Sequence, residues 1–246
     1  MSTGFFKNIP NIPYDFKSDG KISAAKDLFR KVGIWSYLQS DLSGYSYYRI
    51  EQGERPDTVA SRLYGDSTLY WTFFLVNENL QDLNDWPKSH QVFLKFLDRK
   101  YSGTVLSGSA STDIVSYNHV TEVSSKFLLG EKVSQSDEVF GFVTDVDPTF
   151  NRIVLNDVTG TFTTSSVVTG QDSNKSFTIS SVSSEKDAVN HYLNSDGFKT
   201  TESTDNEPVS NEAHELNINE DKFLIRYIEP QYIGQVIDEF KSLVRD

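Results

Sequence analysis

Apolar and polar positions recur with clear periods in the first hundred residues, and they predict one strand followed by three helices. Residues 45–50 alternate and are rich in tyrosine, which favours a strand. Gly53 supplies a turn, and Pro56 with Asp57 suits the first turn of a helix, where no N–H is needed and a negative charge faces the helix dipole. Helical spacing of apolar side chains predicts helices over residues 59–64, 69–76 and, after Pro87, 87–101.

The N-terminal segment has a different character. Residues 1–20 lack periodicity and contain Pro10, Pro13 and Gly20, so we predict an extended arm. Helical spacing of the apolar residues between 22 and 32 predicts a helix that follows the arm and ends at Gly33. The arm is too rich in apolar side chains for an inert tail, and we expect it to lie on its own domain or on a neighbour. Its candidate contact residues are Phe5, Phe6, Tyr14 and Phe16.

The middle of the chain predicts an all-β module. Residues 102–119 are a polar Ser/Gly/Thr stretch that indicates a linker. Short apolar runs separated by turn residues then predict a small barrel or sandwich within residues 120–184. Its six predicted strands are 127–133, 141–146, 152–155, 160–164, 166–169 and 176–181. A short helix over 187–193 and an acidic connection complete residues 185–218.

The C-terminal segment predicts how the chain closes. Residues 223–228 read as a strand, and Pro230 opens a final helix whose apolar face extends to Val244. We expect the strand to pair with residues 47–50, which makes 101–218 an insertion, because long insertions cost little extra entropy once their ends are held together. A contact between residues near 48 and near 226 tests this model. The alternative is a two-stranded pair made only within residues 40–100.

Composition narrows the function classes. The net charge is −12, and residues 101–218 hold 6 basic and 17 acidic side chains, which we interpret as a solvated surface. An acidic chain without a basic stripe argues against nucleic-acid binding. Without cysteine no disulfide or thiolate metal site forms. No signal-peptide core and no apolar stretch of about 20 residues is present, so we expect a soluble chain without a membrane partner, made in a cytoplasm.

The sequence provides no catalytic set. His90, His119, His191 and His214 lie far apart and show no metal-ligand spacing, and no phosphate-binding glycine motif occurs. Four carboxylates between 137 and 147 (Asp137, Glu138, Asp145 and Asp147) lack the calcium-loop spacing and fit solvated turns. We therefore expect no enzyme activity, cofactor or metal.

Four motifs carry a resemblance to known proteins. The chain reads YYRIEQGERPDTVASRLYG over residues 47–65, LYWTFFLVN over 69–77, DWP over 85–87 and IEPQYIGQVIDEF over 228–240. A strand, a Gly-containing turn, a helix, a Tyr-Gly turn and a helix closing on Asn resemble a LysM motif. The Arg-Pro-Asp run, the Tyr-Trp pair and the Asp-Trp-Pro tail resemble the baseplate wedge protein family of T-even-like contractile-tailed phages.

The resemblance implies an α+β fold and a structural role. The fold is a LysM-like βααβ core with extra helices, formed by 21–101 and 219–246, which the inserted barrel or sandwich interrupts. The role is a virion component of the tail baseplate, assembled in the host cytoplasm, that clamps wedge-core proteins and links neighbouring wedges. The implied partners are helical wedge-core proteins, a sheath-initiator-like protein and neighbouring wedge copies, with six copies or a multiple per baseplate.

Further candidate partner-binding residues are Arg55, Trp71, Trp86 and Tyr232. The aromatic stripe that includes Trp71 is either a stacking platform or a helix core. Deletion of residues 1–18 is predicted to abolish wedge incorporation and leave the domain folded.

Two other functions remain open. A LysM-type module binds N-acetylglucosamine chains of peptidoglycan or chitin, here between residues 53–58 and 77–83. A single unit binds sugars weakly without repetition, and Arg55-Pro56 replaces the usual small polar residue. A peptidoglycan-active enzyme is the third function, and no catalytic residue can be named for it.

Overall fold

The computed structural model describes residues 9–27, 44–109, 113–117 and 123–245. The described strands are β1 (Asn11–Tyr14), β2 (Ser23–Lys26), β3 (Tyr45–Arg49), β4 (Thr104–Gly108), β5 (Val115–Tyr117), β6 (Val123–Ser125), β7 (Lys132–Ser134), β8 (Phe140–Asp147), β9 (Arg152–Thr159), β10 (Val167–Gly170), β11 (Ser176–Ser184), β12 (Val189–Leu193), β13 (Lys199–Thr200), β14 (Glu207–Ser210) and β15 (Leu224–Ile228). The described α-helices are α1 (Pro56–Tyr64), α2 (Trp71–Val76), α3 (His90–Lys100), α4 (Asn211–Asp221) and α5 (Ile233–Arg245), with short 3₁₀ helices at Ser67–Tyr70 and Leu83–Asp85.

The chain divides into two compact units. The discontinuous unit comprises Met1–His90 and Ile218–Asp246, and the inserted unit comprises Gln91–Asn217. Helix α3 is expected in the first domain, but all of it beyond His90 belongs to the inserted unit. The fold is a mixture of helices and antiparallel strands, so the α+β class is confirmed.

The predicted pairing of distant strands is confirmed in the discontinuous unit. Strand β15 pairs antiparallel with β3, and Ile225 lies opposite Tyr48 while Arg226 lies opposite Tyr47. The Ile50 N–H donates to the Phe223 carbonyl at 2.8 Å and extends the ladder by one step. Among the described residues β3 has no other strand partner, so the alternative of a pair made only within 40–100 is wrong.

Local turn chemistry sets the helices between these two strands. Pro56 begins α1, where its missing N–H costs nothing. Gly65 follows the helix with φ +73, a left-handed conformation that glycine adopts without strain. Asp66 then accepts the Thr68 N–H at 2.8 Å, which caps the 3₁₀ turn leading into α2. The observed order is therefore β3, α1, α2 and β15.

The core of the discontinuous unit has two larger groups of buried side chains and a smaller third group, Val76, Ile228 and Val236. One lies between the two-stranded sheet and the helices that follow β3, and it consists of Ile50, Val59, Ala60, Phe73, Leu80, Trp86, Phe223 and Ile225. The other joins α2 to the final helix α5, and it consists of Ile9, Leu69, Trp71, Ile237 and Phe240. Burial of this apolar area is the main stabilising term of the unit.

The predicted N-terminal arm and helix are wrong over the described residues. Strand β1 pairs antiparallel with β2, with Asn11 opposite Lys26 and Tyr14 opposite Ser23. The chain reverses between the strands, where Gly20 has φ +78. A hairpin therefore occupies 11–26, since pairing satisfies backbone groups that an extended arm leaves open. The rest of the predicted helix lies outside the described residues.

The inserted unit contains a closed six-stranded barrel, in the order β10, β11, β4, β9, β8, β7 and back to β10. All of its strand pairs are antiparallel. Alternate side chains of the strands fill its interior, together with Ile114, Phe127 and Phe162 from the connecting segments. The strand residues are Leu106, Val133, Val143, Ile153, Leu155, Val168, Phe177 and Ile179. The sequence predicts either a barrel or a sandwich for this module, and the structure shows a barrel.

Three sequence predictions within the barrel are wrong. The predicted linker 102–119 contains β4, because pairing with β9 and β11 overrides its polar composition. The predicted strand 127–133 is reduced to β7, since Gly130 has φ +84. The predicted strand at 160–164 is not formed, because Gly160 with φ +75 leads the chain out of β9, although Phe162 still reaches the core.

The segment after the barrel is more ordered than predicted. The predicted helix 187–193 is wrong, because β12 pairs with β13 and β14 in a three-stranded sheet. Asn194 accepts the N–H groups of Asp196 and Phe198, and this turn returns the chain as β13. The acidic connection contains β14 and most of helix α4, which begins at Asn211.

Candidate partner-binding surface

The hairpin of residues 9–27, which we call the aromatic hairpin, has a turn organised by one carboxylate. Asp15 accepts the N–H groups of Lys17 and Asp19 at 3.1 and 3.2 Å through one oxygen, and that of Gly20 at 2.8 Å through the other. These bonds stabilise the ionised form, and the bond from Gly20 contributes most to lowering the pKa of Asp15. The Asp15 carboxylate therefore organises this turn, a role that the pattern of apolar and polar residues does not predict.

Three large apolar side chains of the aromatic hairpin lie in solvent. Tyr14, Phe16 and Ile22 are 50%, 66% and 72% exposed. The Tyr14 and Phe16 rings meet edge to face, with centroids 5.0 Å apart. Exposed aromatic side chains on a short, ordered hairpin are typical of a protein-binding surface, since aromatic residues dominate interface energetics.

The base of the aromatic hairpin is fixed to its own unit. Ile9 is buried in the cluster that contains Trp71 and Phe240. Lys26 crosses the base and donates to the Ile9 carbonyl at 2.7 Å. One end of the segment is thus held while Tyr14 and Phe16 remain exposed.

The other predicted contact residues fall into different environments. Phe5 and Phe6 lie outside the described residues. Arg55 precedes α1 with an exposed side chain, and its ion pair with Asp57 at 3.1 Å is too solvated to restrain it strongly. Tyr232 is half-buried against the cluster of Val76, Ile228 and Val236, so only part of its ring is accessible.

Trp71 and Trp86 are core residues. The Trp71 ring packs on Phe240 with centroids 4.5 Å apart. The Trp86 indole N–H donates to the Glu54 carbonyl at 2.7 Å, and its ring lies 6.0 Å from that of Phe73. Neither presents a face to a partner. Trp71 belongs to α2, which is buried on several sides rather than along one stripe, and Trp86 is buried in the cluster that contains Phe73. Of the two interpretations of the aromatic stripe, the structure favours the core.

A second exposed surface was not predicted. Tyr48 and Ile225 point to the core side of the two-stranded sheet. Tyr47 and Leu224 lie on its other face and are 65% and 54% exposed. On this same face, Arg226 is the cross-strand neighbour of Tyr47, and Arg49 is the cross-strand neighbour of Leu224. We call these four residues the outer sheet face. The alternation of residues 45–50 contained the signal, because it places Tyr47 and Tyr48 on opposite faces.

The described residues contain no candidate metal cluster and no candidate membrane-spanning helix. No group of three or more potential metal-ligating side chains comes together within them. No helix among them is long and apolar enough to cross a bilayer. Of the four carboxylates between 137 and 147, Asp147 accepts a hydrogen bond from Arg152 Nε at 3.0 Å and forms an ion pair with Arg152 Nη2 at 2.9 Å.

Comparison with known proteins identifies the family. The model of the family described as Base plate wedge protein 53 matches residues 3–147, more than half of the chain. The chain therefore belongs to the baseplate wedge protein family, a family of structural proteins of phage tail baseplates. Strand β15, which completes the sheet with β3, lies beyond the matched residues.

An individual relative agrees with this assignment. Baseplate wedge protein gp53 of Enterobacteria phage T4 is 28% identical over 123 residues, which are 49% of this chain and 53% of the T4 protein. The chain thus spans about half the length of this curated relative.

Proposed function

We propose that this chain is a structural component of a contractile-tail baseplate wedge, and that it contacts its partners through the aromatic hairpin and the outer sheet face. Family membership supports the role in a baseplate wedge. The exposure of Tyr14 and Phe16 on a fixed hairpin is the observation that supports the contact surface. The proposed location is the virion baseplate, after assembly in the host cytoplasm.

The proposed partners are helical wedge-core proteins, a sheath-initiator-like protein and neighbouring wedge copies, with six copies or a multiple per baseplate. Clamping of the core proteins and linking of adjacent wedges require contacts on more than one surface. The outer sheet face supplies a second surface, where Arg49 and Arg226 flank Tyr47 and Leu224. Arginine and tyrosine are both enriched at the centres of protein interfaces.

The order β3, α1, α2 and β15 supports a LysM-like description of the discontinuous unit. Glycan binding at the corresponding turns has less support. Leu80 is buried, and the Asn77 amide is occupied by backbone groups of Phe73 and Arg226. The Asn77 amide and the Leu80 side chain therefore maintain the fold, and no described contact favours a sugar at these turns.

The test is reconstitution of the wedge with the double variant Tyr14→Ser/Phe16→Ser. Loss of two exposed aromatic contacts is expected to weaken capture of the wedge proteins of the same phage by at least 30-fold, about 2 kcal/mol. Thermal unfolding should be unchanged, because neither ring is in the core. Phe198→Ser, at a position exposed in the inserted unit, is the matched control. Normal incorporation of the double variant would exclude the aromatic hairpin as a contact surface.

Point variants are preferable to deletion of residues 1–18. That deletion removes the buried Ile9 and strand β1 together with the exposed rings. Loss of incorporation would then report either a lost contact or a destabilised unit.

A further inference from the structure

The inserted unit contains a cleft of about 660 Å³ on the outer wall of its barrel. Strands β4, β11 and β12 supply its lining, together with the turn between β8 and β9, the residues just before β12, and Glu202 after β13. The volume falls within the range of about 300–1,000 Å³ that is usual for small-molecule sites. We call it the serine cleft, because Ser107, Ser180, Ser181 and Ser183 line it.

A β-bulge explains the density of hydroxyl groups. The register between β11 and β4 shifts between Ile179 and Ser181, so Ser180 is an extra residue on its strand. Ile179 faces the barrel core, whereas Ser180 and Ser181 are both exposed. The Ser180 hydroxyl donates to the Ser107 and Gly108 carbonyls at 3.0 and 3.2 Å, which fixes it at the wall.

One side of the serine cleft is aromatic and held in place. The rings of Phe150 and Tyr192 lie with centroids 6.2 Å apart. Arg152 covers the Phe150 ring, with its guanidinium carbon 4.6 Å from the ring centroid. Asp147 accepts the Thr149 and Phe150 N–H groups at 2.9 and 3.3 Å, so a single carboxylate fixes both the turn and the guanidinium above it.

The charges of the lining disfavour an anionic ligand. The guanidinium of Arg152 is already paired with Asp147 at 2.9 Å. Two carboxylates, Asp187 and Glu202, also line the cleft, and burial together with the neighbouring Glu202 raises the pKa of the Tyr192 hydroxyl. Carboxylates accept strong hydrogen bonds from neutral hydroxyl donors. A phosphate or nucleic-acid ligand would meet a negative lining instead.

We propose that the serine cleft binds a neutral oligosaccharide. A sugar ring has an apolar face of C–H groups, which fits the Phe150–Tyr192 wall, and a rim of hydroxyls, which fits the serines and carboxylates. The preorganised wall lowers the entropic cost of binding. The site lies entirely in the inserted unit, whereas the proposed wedge contacts lie in the discontinuous unit.

The full-length chain is tested by saturation-transfer NMR and calorimetry with neutral hexasaccharides of glucose (α- and β-linked), mannose and N-acetylglucosamine. We expect saturation transfer to at least one of them, and at least tenfold weaker binding in Tyr192→Ala. Ser181→Phe, which fills the cleft from an exposed strand position, should abolish binding and remains informative if Tyr192→Ala fails to fold. Phe198→Ala is the control and should bind as the unmodified chain does.

Three results would overturn the proposal. They are absence of transfer to every hexasaccharide, binding that survives Ser181→Phe, and tighter binding of an anionic oligosaccharide such as heparin hexasaccharide.

Discussion

Asn77 and Arg226 lie 149 positions apart in the chain and are joined by two hydrogen bonds. The Asn77 side-chain amide donates to the Arg226 carbonyl, and its oxygen accepts the Arg226 N–H, both at 2.8 Å. The same amide also donates to the Phe73 carbonyl at 2.8 Å, near the end of α2. One buried side chain therefore pairs with the N–H and carbonyl groups of Arg226 in β15 and connects this strand to helix α2.

We predict that Asn77→Asp destabilises the discontinuous unit by roughly 2–4 kcal/mol, because a carboxylate cannot donate to the two buried carbonyls that the amide now serves. Asn84→Asp, at an exposed position of the same unit, is the matched control and should change stability by less than about 0.5 kcal/mol. Urea unfolding followed by tryptophan fluorescence measures both, since all three tryptophans of the chain precede residue 90. Equal stability of the two variants would show that Asn77 does not hold β15.

The closing strand could be predicted because its signals are local. Residues 223–228 form a short apolar run between an acidic segment and Pro230, and β3 needed a partner that no nearby segment supplied. The turn at Gly65 was predictable for the same reason, because a left-handed residue after a helix strongly favours glycine.

Strands β4 and β2 could not be predicted, because neither has the residue pattern of a strand. Strand β4 has a polar composition, and only its pairing with β9 and β11 makes it a strand. Strand β2 follows a reversal that the Asp15 carboxylate organises through three N–H groups. The helical spacing of residues 22 and 25 gives no indication of this reversal.

The candidate surface was predictable in part. Exposure of Tyr14 and Phe16 agrees with the expectation of an apolar segment free to meet a neighbour, although their role in binding stays a prediction. Trp71 was assigned to the same class from residue type alone, and it lies in the core on Phe240. Residue type does not distinguish an interface aromatic from a core aromatic when a short helix is buried on several sides.

Alkaline pH should weaken the discontinuous unit through Tyr64. The Tyr64 and Phe73 rings are stacked with centroids 5.8 Å apart. Burial raises the pKa of Tyr64 from 10.0 to about 12. The folded state therefore favours the neutral phenol, so the stabilisation is complete below pH 10 and is lost as the pH rises towards 12. The expected loss is roughly 2–3 kcal/mol.

Tyr64→Phe isolates this contribution, because burial also raises the pKa of Tyr48 in the same unit. Urea unfolding between pH 9 and pH 12 should show a smaller loss for Tyr64→Phe than for the unmodified chain. Parallel curves for the two proteins would contradict the prediction.

Acidic pH should weaken the inserted unit through His191. Burial lowers its pKa from 6.5, and the charges of Lys199 and His214 lower it further, with the His214 ring 5.2 Å away. The neutral imidazole is favoured in the folded state, so stability is complete above pH 6.5 and falls as the pH drops towards the lowered pKa. Amide hydrogen exchange of β12 between pH 7.5 and pH 5, corrected for intrinsic rates, measures the change.

His191→Gln should remove most of this pH dependence, whereas His90→Gln, at an exposed position of the discontinuous unit, should leave it intact. A pH dependence that persists in His191→Gln would assign the effect to other groups.

Glu131 is the buried carboxylate on which the barrel turn between β10 and β11 depends. One of its oxygens accepts the Leu128 N–H at 2.7 Å, and the other accepts those of Asp172 and Ser173 at 3.3 and 3.0 Å. Glu131→Gln replaces one acceptor oxygen with an NH₂ group that faces N–H donors, so we predict a loss of roughly 2–3 kcal/mol in the inserted unit. Glu138→Gln, at an exposed position of the same barrel, is the matched control.

The barrel contains no tryptophan, so hydrogen exchange at Val133 and Val143 is the measurement for Glu131→Gln. Gly170→Ala should act on the same site, because an added Cβ would lie 2.7 Å from the Glu131 carboxylate oxygen and would also clash with the Ser173 hydroxyl. If both variants displace the same carboxylate, the double variant should be less destabilised than the sum of the single variants. Additive losses would mean that Gly170 and Glu131 stabilise the barrel independently.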